Sequence, residues 1–398
     1  MSNLQSLKLG DLLISLKTGL NPRDNFKLNT PDAENWYITV RELNGLGIDF
    51  LSQTDKVNND GLKLINNRSN LEIGDVLFSG TGTIGKTAIV ENHPTNWNIK
   101  EGVYVLKPKK DSLETYYLMY FLNHLNKLNV FNKISAGSTV FSVPMKNLED
   151  LKIQIHSINE QVKISSVLKS LDFKIRLNNI INKELEALAK TVYDYWFVQF
   201  DFPGKNGKPY KSSGGKMIWN EMLKKEVPEG WEAKKFGDVV AIKNGRDHKH
   251  LNNGHYPVYG SGGVMRQCDT FLYDSESVLI PRKGSLGNLF YINEPFWCVD
   301  TIFYTQMKFP QSCKFLFYTT QNFNISKMNI GTAVPSMTTE ILNNLTLAFP
   351  SSDILKSFDH FLIPIFQKKR KIKIENQKLT ELRDWLLPML MNGQVKVN

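Results

Sequence analysis

Apolar residues follow two regimes along this chain. Most come in short runs broken by Gly, Pro and polar turns, but from Ser157 to about Phe202 there is neither Gly nor Pro, although the chain holds 26 and 16 of them. Ser157 with Glu160 three residues on has both halves of a capping box, which predicts a helix start. Positions 164, 167, 171, 174, 178, 181, 185, 188 and 192 read Ile, Val, Leu, Lys, Asn, Ile, Leu, Leu and Val. Alternating steps of three and four, mostly apolar, describe a heptad seam that must face a partner helix. About 40 helical residues make a rod of ~60 Å.

The partner lies in the same chain. Adding 194 to those positions gives Phe358, Phe361, Ile365, Lys368, Ile372, Glu375, Leu379, Leu382 and Leu386, again mostly apolar. The same offset carries Gly137, Leu148, Leu151, Ile153 and Ile155 onto Gly331, Leu342, Leu345, Leu347 and Phe349. The chain is an internal repeat. Further upstream, Trp36–Val40 and Asp75–Phe78 read as strands, and Thr115–Leu128 as a short buried helix. Gly10-Asp11 matches Gly237-Asp238 at an offset of 227, Gly82–Gly85 matches Gly284–Gly287 at 202, and Trp97 and Tyr104 match Trp297 and Tyr304 at 200. The largest change is a loss of 25 residues between the first two of these points (227 against 202). A framework kept twice with unlike loops suits two readers of different ligands.

These patterns predict a mixed α/β (α+β) chain. A globular unit over 1–156 precedes a long helix over 157–202, and a Lys- and Gly-rich linker over 203–230 precedes a second globular unit over 231–350. A second long helix occupies 351–398. Asp353 suits its first turn, Pro364 is expected to kink it or reset its start, and Pro388 and Gly393 to end it. The simplest closed arrangement pairs the helices as an antiparallel coiled coil and relates the units by a pseudo-twofold axis.

Charge and cysteine usage narrow the function. A net charge of +10 and a sequence pI near 9.2 favour a polyanionic partner. Cys268, Cys298 and Cys313 lack C-x-x-C spacing and read as reduced thiols, with no disulfide framework or zinc site. With no signal peptide and no apolar run of transmembrane length, the expectation is a cytoplasmic chain with no membrane partner.

Several motifs compete for a chemical reading. Gly80-Thr81-Gly82-Thr83-Ile84-Gly85-Lys86-Thr87 matches a P-loop literally, and Phe78-Ser79-Gly80-Thr81-Gly82 resembles the glycine motif of methyltransferases. Either reading needs a helix N-terminus after the loop, and Ala88-Ile89-Val90 instead reads as a strand. The second copy, Arg282-Lys283-Gly284-Ser285-Leu286-Gly287, keeps only the inner glycines. The chain also lacks the Asn-Pro-Pro-Tyr type motif of adenine methyltransferases. An adenine methyltransferase or P-loop NTPase built on this loop is the alternative; a turn presenting Thr81, Thr83 and Lys86, or Lys283 and Ser285, to phosphates or base edges fits better. Arg246-Asp247-His248-Lys249-His250, with His255 nearby, lacks a carboxylate or cysteine cluster to complete a metal site and reads as a basic recognition loop. Tyr259-Gly260-Ser261-Gly262-Gly263 is a Gly-rich turn, either structural or facing a ligand. No nucleophile arrangement or paired-carboxylate cluster stands out, so no residue is assigned a catalytic, metal-binding or cofactor-binding role.

A family resemblance rests on a set of segments taken together. They are Glu160-Gln161, Val167-Leu168, Leu171-Asp172, Leu185-Glu186, Tyr193, Trp196-Phe197, Phe202-Pro203, Gly207–Gly215, Val227-Pro228-Glu229-Gly230-Trp231 and Leu386–Gly393. With these the chain resembles the DNA-specificity subunit of Type I restriction–modification systems over its whole length. Asp353-Ile354 stands where a second Glu-Gln pair would be. The resemblance implies two target recognition domains reading a bipartite duplex DNA sequence, with the helices as spacer and docking surface for two methyltransferase subunits. Those partners would carry S-adenosylmethionine and methylate adenine; restriction/translocase subunits with ATP and Mg would cleave. The DNA-contact candidates are Arg23, Arg41, Thr81, Thr83, Lys86, Ser138 and Thr139 in the first unit. In the second they are Arg246, His248, Lys249, His250, Ser261, Arg266, Arg282, Lys283, Ser285 and Thr332.

Overall fold

The computed structural model describes residues 4–137, 141–204, 206–323, 325 and 336–397. The chain divides into two compact units, Met1–Asn179 with Ile374–Asn398, and Ile180–Lys373. In the first, β1 (Gln5–Lys8), a 3-10 turn, β2 (Leu13–Thr18), β3 (Asn35–Ile38) and β4 (Lys56–Val57) precede α1 (Asn59–Ser69). Then come β5 (Val76–Ser79), β6 (Thr87–Ile89), β7 (Trp97–Ile99) and β8 (Val103–Pro108). The helices α2 (Thr115–Lys127), α3 (Val130–Ile134) and α4 (Met145–Glu149) and strand β9 (Lys152–Ile155) lead into α5 (Ile158–Tyr193).

The second unit holds the hairpin β10 (Met217–Asn220) and β11 (Lys225–Pro228), then β12 (Glu232–Lys235), α6 (Phe236–Val239), β13 (Val240–Asn244), β14 (Tyr256–Gly260) and β15 (Gly263–Cys268). It continues through β16 (Ser277–Pro281), β17 (Phe290–Ile292), β18 (Trp297–Cys298), β19 (Ile302–Met307), α7 (Cys313–Asn322), α8 (Thr339–Asn344) and β20 (Thr346–Phe349) to α9 (Ser352–Met391).

The repeat is one topology built twice. Sheet β2-β8-β5-β6 recurs as β13-β19-β16-β17, sheet β4-β3-β7 as β15-β14-β18, and pair β1-β9 as β12-β20. In each three-stranded sheet one pair is parallel, β3 with β7 and β14 with β18. The framework strands read as continuous apolar runs because both their faces are covered. Val76 and Phe78 pack toward Tyr117 and Leu118 of α2, whereas Leu77 packs toward Ile38 and Ile99 of the smaller sheet. Val278 and Ile280 likewise join the Phe315 and Leu316 core, and Leu279 joins Phe296 and Cys298. Most of the length difference between the copies falls between β3 and β5, where the first copy adds α1 and the second makes a tight hairpin.

The long helix starts at the predicted cap with one half of the box formed: Glu160 Oε2 reaches back to the Ser157 backbone N–H at 3.3 Å and also accepts from Ser157 Oγ at 2.9 Å. Gln161 ties that start to α2, donating to Ser112 O (3.0 Å) and His156 O (2.9 Å) and accepting from Glu114 N (2.9 Å). The helix ends at Tyr193, short of Phe202; a π-helical turn over Asp194–Val198 and a positive φ of 64° at Phe200 follow.

In each unit α5 and α9 pack antiparallel. Asp172 meets Arg383 and Asn178 meets Asn376 in the first unit; Glu186 meets Lys369 and Tyr193 meets Phe358 in the second. The buried stripe differs from the predicted seam at every second position. Leu168 and Ala189 are fully buried while Leu188 is 47% exposed, and Leu362 is buried while Phe361 and Leu382 are exposed. Steps of four then three, in place of three then four, give the same 3.5-residue repeat on a face one residue over. The expected reset at Pro364 and end at Pro388 are also corrected, for α9 runs as one helix from Ser352 through both prolines to Met391. The carbonyls each proline leaves without an N–H partner belong to His360 and Asp384, both exposed, so water can satisfy them.

Candidate nucleic-acid interface

The Gly80–Lys86 loop joins two antiparallel strands, β5 and β6. Ser79 Oγ donates to Thr83 O at 2.6 Å and accepts from Lys86 N at 2.8 Å, while Gly85 N donates to Ser79 O at 3.0 Å. Gly82 and Gly85 take φ of 77° and 90°, and a Cβ at Gly80 would overlap the Tyr104 ring. No helix opens after the loop, so its N–H groups do not converge on a phosphate at a helix N-terminus. This removes the geometric basis of the nucleotide-binding alternative.

The loop has neighbours instead. Gly80 N donates to Gly102 O (2.8 Å), Gly82 N to Phe141 O (3.0 Å) and Val143 N to Gly80 O (2.8 Å), so three connections meet at one sheet edge. Lys86 Nζ donates to Val40 O at 3.4 Å, which brings Arg41 to the same edge. Thr83, Lys86 and Arg41 are exposed and Thr81 is half-buried there. Arg41 also lies 3.8 Å from buried Glu42, whose carboxylate accepts from Thr39 and Thr54. Arg23 is exposed in the 22–26 turn and is not tied to this edge by a described contact. Ser138 and Thr139 lie outside the described residues.

The second unit rebuilds this edge with other side chains. Arg282 N donates to Thr301 O (2.8 Å), Met337 N to Arg282 O (2.9 Å), and Asn288 Nδ2 to Ser261 O (3.0 Å). Arg246 N donates to Cys298 O at 2.9 Å, and Trp297 Nε1 to Arg246 O at 3.0 Å, so the basic loop reaches the same edge. Arg246, Lys249, His250, Arg282, Lys283 and Ser285 are exposed there, with Asp247 and Asp300 the interspersed carboxylates. Thr332 lies outside the described residues.

Arg266 proves to be a brace within the loop. Its Nη2 donates to His248 O (2.6 Å) and Leu251 O (2.9 Å), its Nε to His248 Nδ1 (3.2 Å) and its Nη1 to Asn253 Oδ1 (3.4 Å). His248 is thereby half-buried against the guanidinium. Sequence reasoning had no signal for this, since a lone Arg on a strand reads as a solvated charge. It also passed over the exposed apolar side chains at these edges, Phe141 in the first unit and Val264 and Met265 in the second.

Among the described residues, nothing at either edge resembles a reaction centre. Among the described residues no group of three His, Cys, Asp or Glu side chains is placed to hold a metal ion. The three cysteines are buried and unpaired, and burial pushes the Cys298 thiol up to about 12. No helix among the described residues is long and apolar enough to cross a membrane.

One scaffold built twice, with cations and hydroxyls on unlike loops at the same edge and a shared pair of long helices, defines a duplicated recognition protein. A family model described as the Type I restriction modification DNA specificity domain matches residues 1–187 and 228–383. The chain is 25% identical over 354 residues to the MjaIX specificity subunit of Methanocaldococcus jannaschii, covering 81% of this chain and 78% of that one. It is 23% identical over 397 residues to the HindI specificity subunit of Haemophilus influenzae, covering 81% and 86%. Its fold is similar to the crystal structure of a Type I S subunit from M. genitalium, with a TM-score of 0.61 at 17% identity over 98% of this chain and 96% of that one. The chain belongs to the Type I restriction–modification specificity-subunit family, and is the DNA specificity component, not a catalytic subunit, of such a system.

Proposed function

We propose that residues 1–156 and 231–350 each read one half of a bipartite duplex target through the loop edges described above. The observation that carries this reading is the duplicated edge itself: the backbone connections recur while the presented side chains differ. Thr81, Thr83 and Lys86 stand where Lys283 and Ser285 stand in the second copy. Cations and hydroxyls of this kind position a protein on phosphates and contact base edges. The helices α5 and α9 set the unread interval between the half-targets and dock two methyltransferase subunits. Leu177, Leu188, Ile374 and Trp385, exposed on these helices, support a docking role. Those partners supply S-adenosylmethionine and methylate adenine, and restriction/translocase subunits supply ATP- and Mg-dependent cleavage. Such an assembly works on DNA in the cytoplasm.

Sequencing the methylated bases of cells that carry this chain with its methyltransferase partner tests the reading. A split motif is expected, and exchange of residues 231–350 for a relative's segment should alter one half only. A continuous motif, or a change spread over both halves, overturns it.

A further inference from the structure

The β14–β15 hairpin carries a feature that the polar reading of its surroundings leaves unexplained. Val264 and Met265 are adjacent, yet 52% and 59% exposed. Neighbours on a strand face opposite ways, so one of the two should find cover. Here β15 is the edge strand of its sheet, and the register slips between Val258 and Tyr259: Tyr259 pairs with Val264 while Val258 pairs with Arg266. Met265 is the extra residue of a β-bulge, a device that re-aims a side chain. Its thioether lies across Gly260, where a Cβ would overlap it. A bare apolar edge strand is an aggregation liability that proteins usually blunt with charge.

The hairpin is also slim and flanked by cations. Gly262 and Gly263 have open space where a Cβ would be, so the tip is little wider than the backbone. Ser261 at that tip is bonded to Asn288 of the Arg282–Lys283 loop. On the other side Arg266, one residue past Met265, is clamped to His248 and Leu251 of the basic loop. The exposed apolar pair thus lies on a hairpin bonded to two cationic loops.

We propose that this hairpin is a two-stranded ribbon that enters the major groove, and that Val264 and Met265 read thymine there by packing on its 5-methyl group. The major groove admits a two-stranded ribbon, and the thymine methyl is its one apolar feature. The flanking cations hold the ribbon in place through phosphates, and the bulge turns the thioether toward the bases. This inference rests on the DNA-reading role proposed above.

Replacing each thymine of the target by deoxyuracil, one at a time, removes only the methyl group. With the full chain and its methyltransferase partner, one thymine of one half-site is expected to lose about fourfold in duplex affinity on replacement, the factor carried by one buried methyl. Val264→Ser with Met265→Gln should abolish that response, and Met265→Leu should keep it; all three changes are at exposed positions. If the complex discriminates both half-sites but responds to no thymine methyl, or responds equally in the double variant, the inference is wrong while the reading role stands. A complex without any sequence preference overturns both.

Discussion

Lys314 Nζ lies 2.7 Å from Asp359 Oδ1 and 2.9 Å from Glu276 Oε1, with the lysine side chain only 5% exposed. Burial alone would lower the ammonium pKa, but its bonds to Asp359 and Glu276 and their charges outweigh that and raise it. Lys314 belongs to α7 and Asp359 to α9, so this triad fastens the long helix to the globular part of its own unit. Lys314→Met should destabilise the unit by roughly 3–5 kcal/mol, because the buried carboxylate of Asp359 is left without its cation. Lys314→Met combined with Asp359→Leu should recover most of the loss. Urea unfolding followed by tryptophan fluorescence separates the two; an equal loss in single and double variants would show that packing, not charge, is what matters.

The triad also bears on segment exchange. Glu276 and Lys314 fall inside residues 231–350 and Asp359 outside. A donor segment with a neutral residue in place of Lys314 should give low yields of folded chain, restored by Asp359→Leu. Soluble yield and melting temperature across a set of donors check this.

Burial raises the Asp75 carboxyl to about 6, against a bond from the Glu72 N–H that lowers it. Its folded-state pKa exceeds the unfolded value near 3.9, so the folded state holds the proton more tightly. The associated stability is present below about pH 4 and is lost as pH rises through about 6. Asp75→Asn keeps an acceptor for Glu72 and stays neutral. It should match the parent below about pH 4 and exceed it by about 2–3 kcal/mol above about pH 6. Urea midpoints measured from pH 3.5 to 7.5 give the difference directly, and a gain constant with pH would rule out ionisation as its source.

The repeat and both long helices were legible because offset and heptad spacing survive without tertiary information. The face of the seam was not. Val167 and Leu168 are both apolar, as are Leu188 and Ala189. Either choice keeps a 3.5-residue period, and only the packed partner decides. Pro364 misled for a related reason: a proline inside a helix whose freed carbonyl lies on an exposed turn costs less than one in a buried turn. The Gly80–Lys86 loop was read correctly as a turn because the strand after it was visible in the sequence. Val264 and Met265 were not visible, since adjacent apolar residues in a strand look like core.

At the second edge, Lys283 and Arg266 should fail differently. Lys283 is an exposed cation, so Lys283→Ala should weaken duplex binding by a similar factor on all sequences and reduce the salt slope by about one. Arg266 braces residues 248–253 through four bonds, so Arg266→Ala should leave the salt slope nearly unchanged and relax preference in one half-site. Arg266→Lys should not rescue, for a single ammonium cannot span those acceptors. Affinities for a panel of half-site variants at two salt concentrations distinguish the outcomes.

Asn178 sits 2% exposed within the helix pair of the first unit. Its Nδ2 donates to Glu375 Oε2 at 2.9 Å and to Asn376 Oδ1 at 2.8 Å, and Asn376 donates to Asn179 Oδ1 at 2.8 Å. A buried Asn among the largely apolar residues of the seam is satisfied in one register only, so it specifies pairing at a cost in stability. Leucine at both Asn178 and Asn376 should raise the melting temperature, because two polar groups give way to apolar burial. It should also admit pairing between chains, since this layer no longer rejects other registers. Light scattering on the purified variant should then find a larger species than on the parent. Alanine at Asn178 alone should lower stability by about 1 kcal/mol without changing association, since the bonds are lost and little apolar area is gained. A leucine pair that stays in the parent's association state, however stable, would show that register is set elsewhere along α5 and α9.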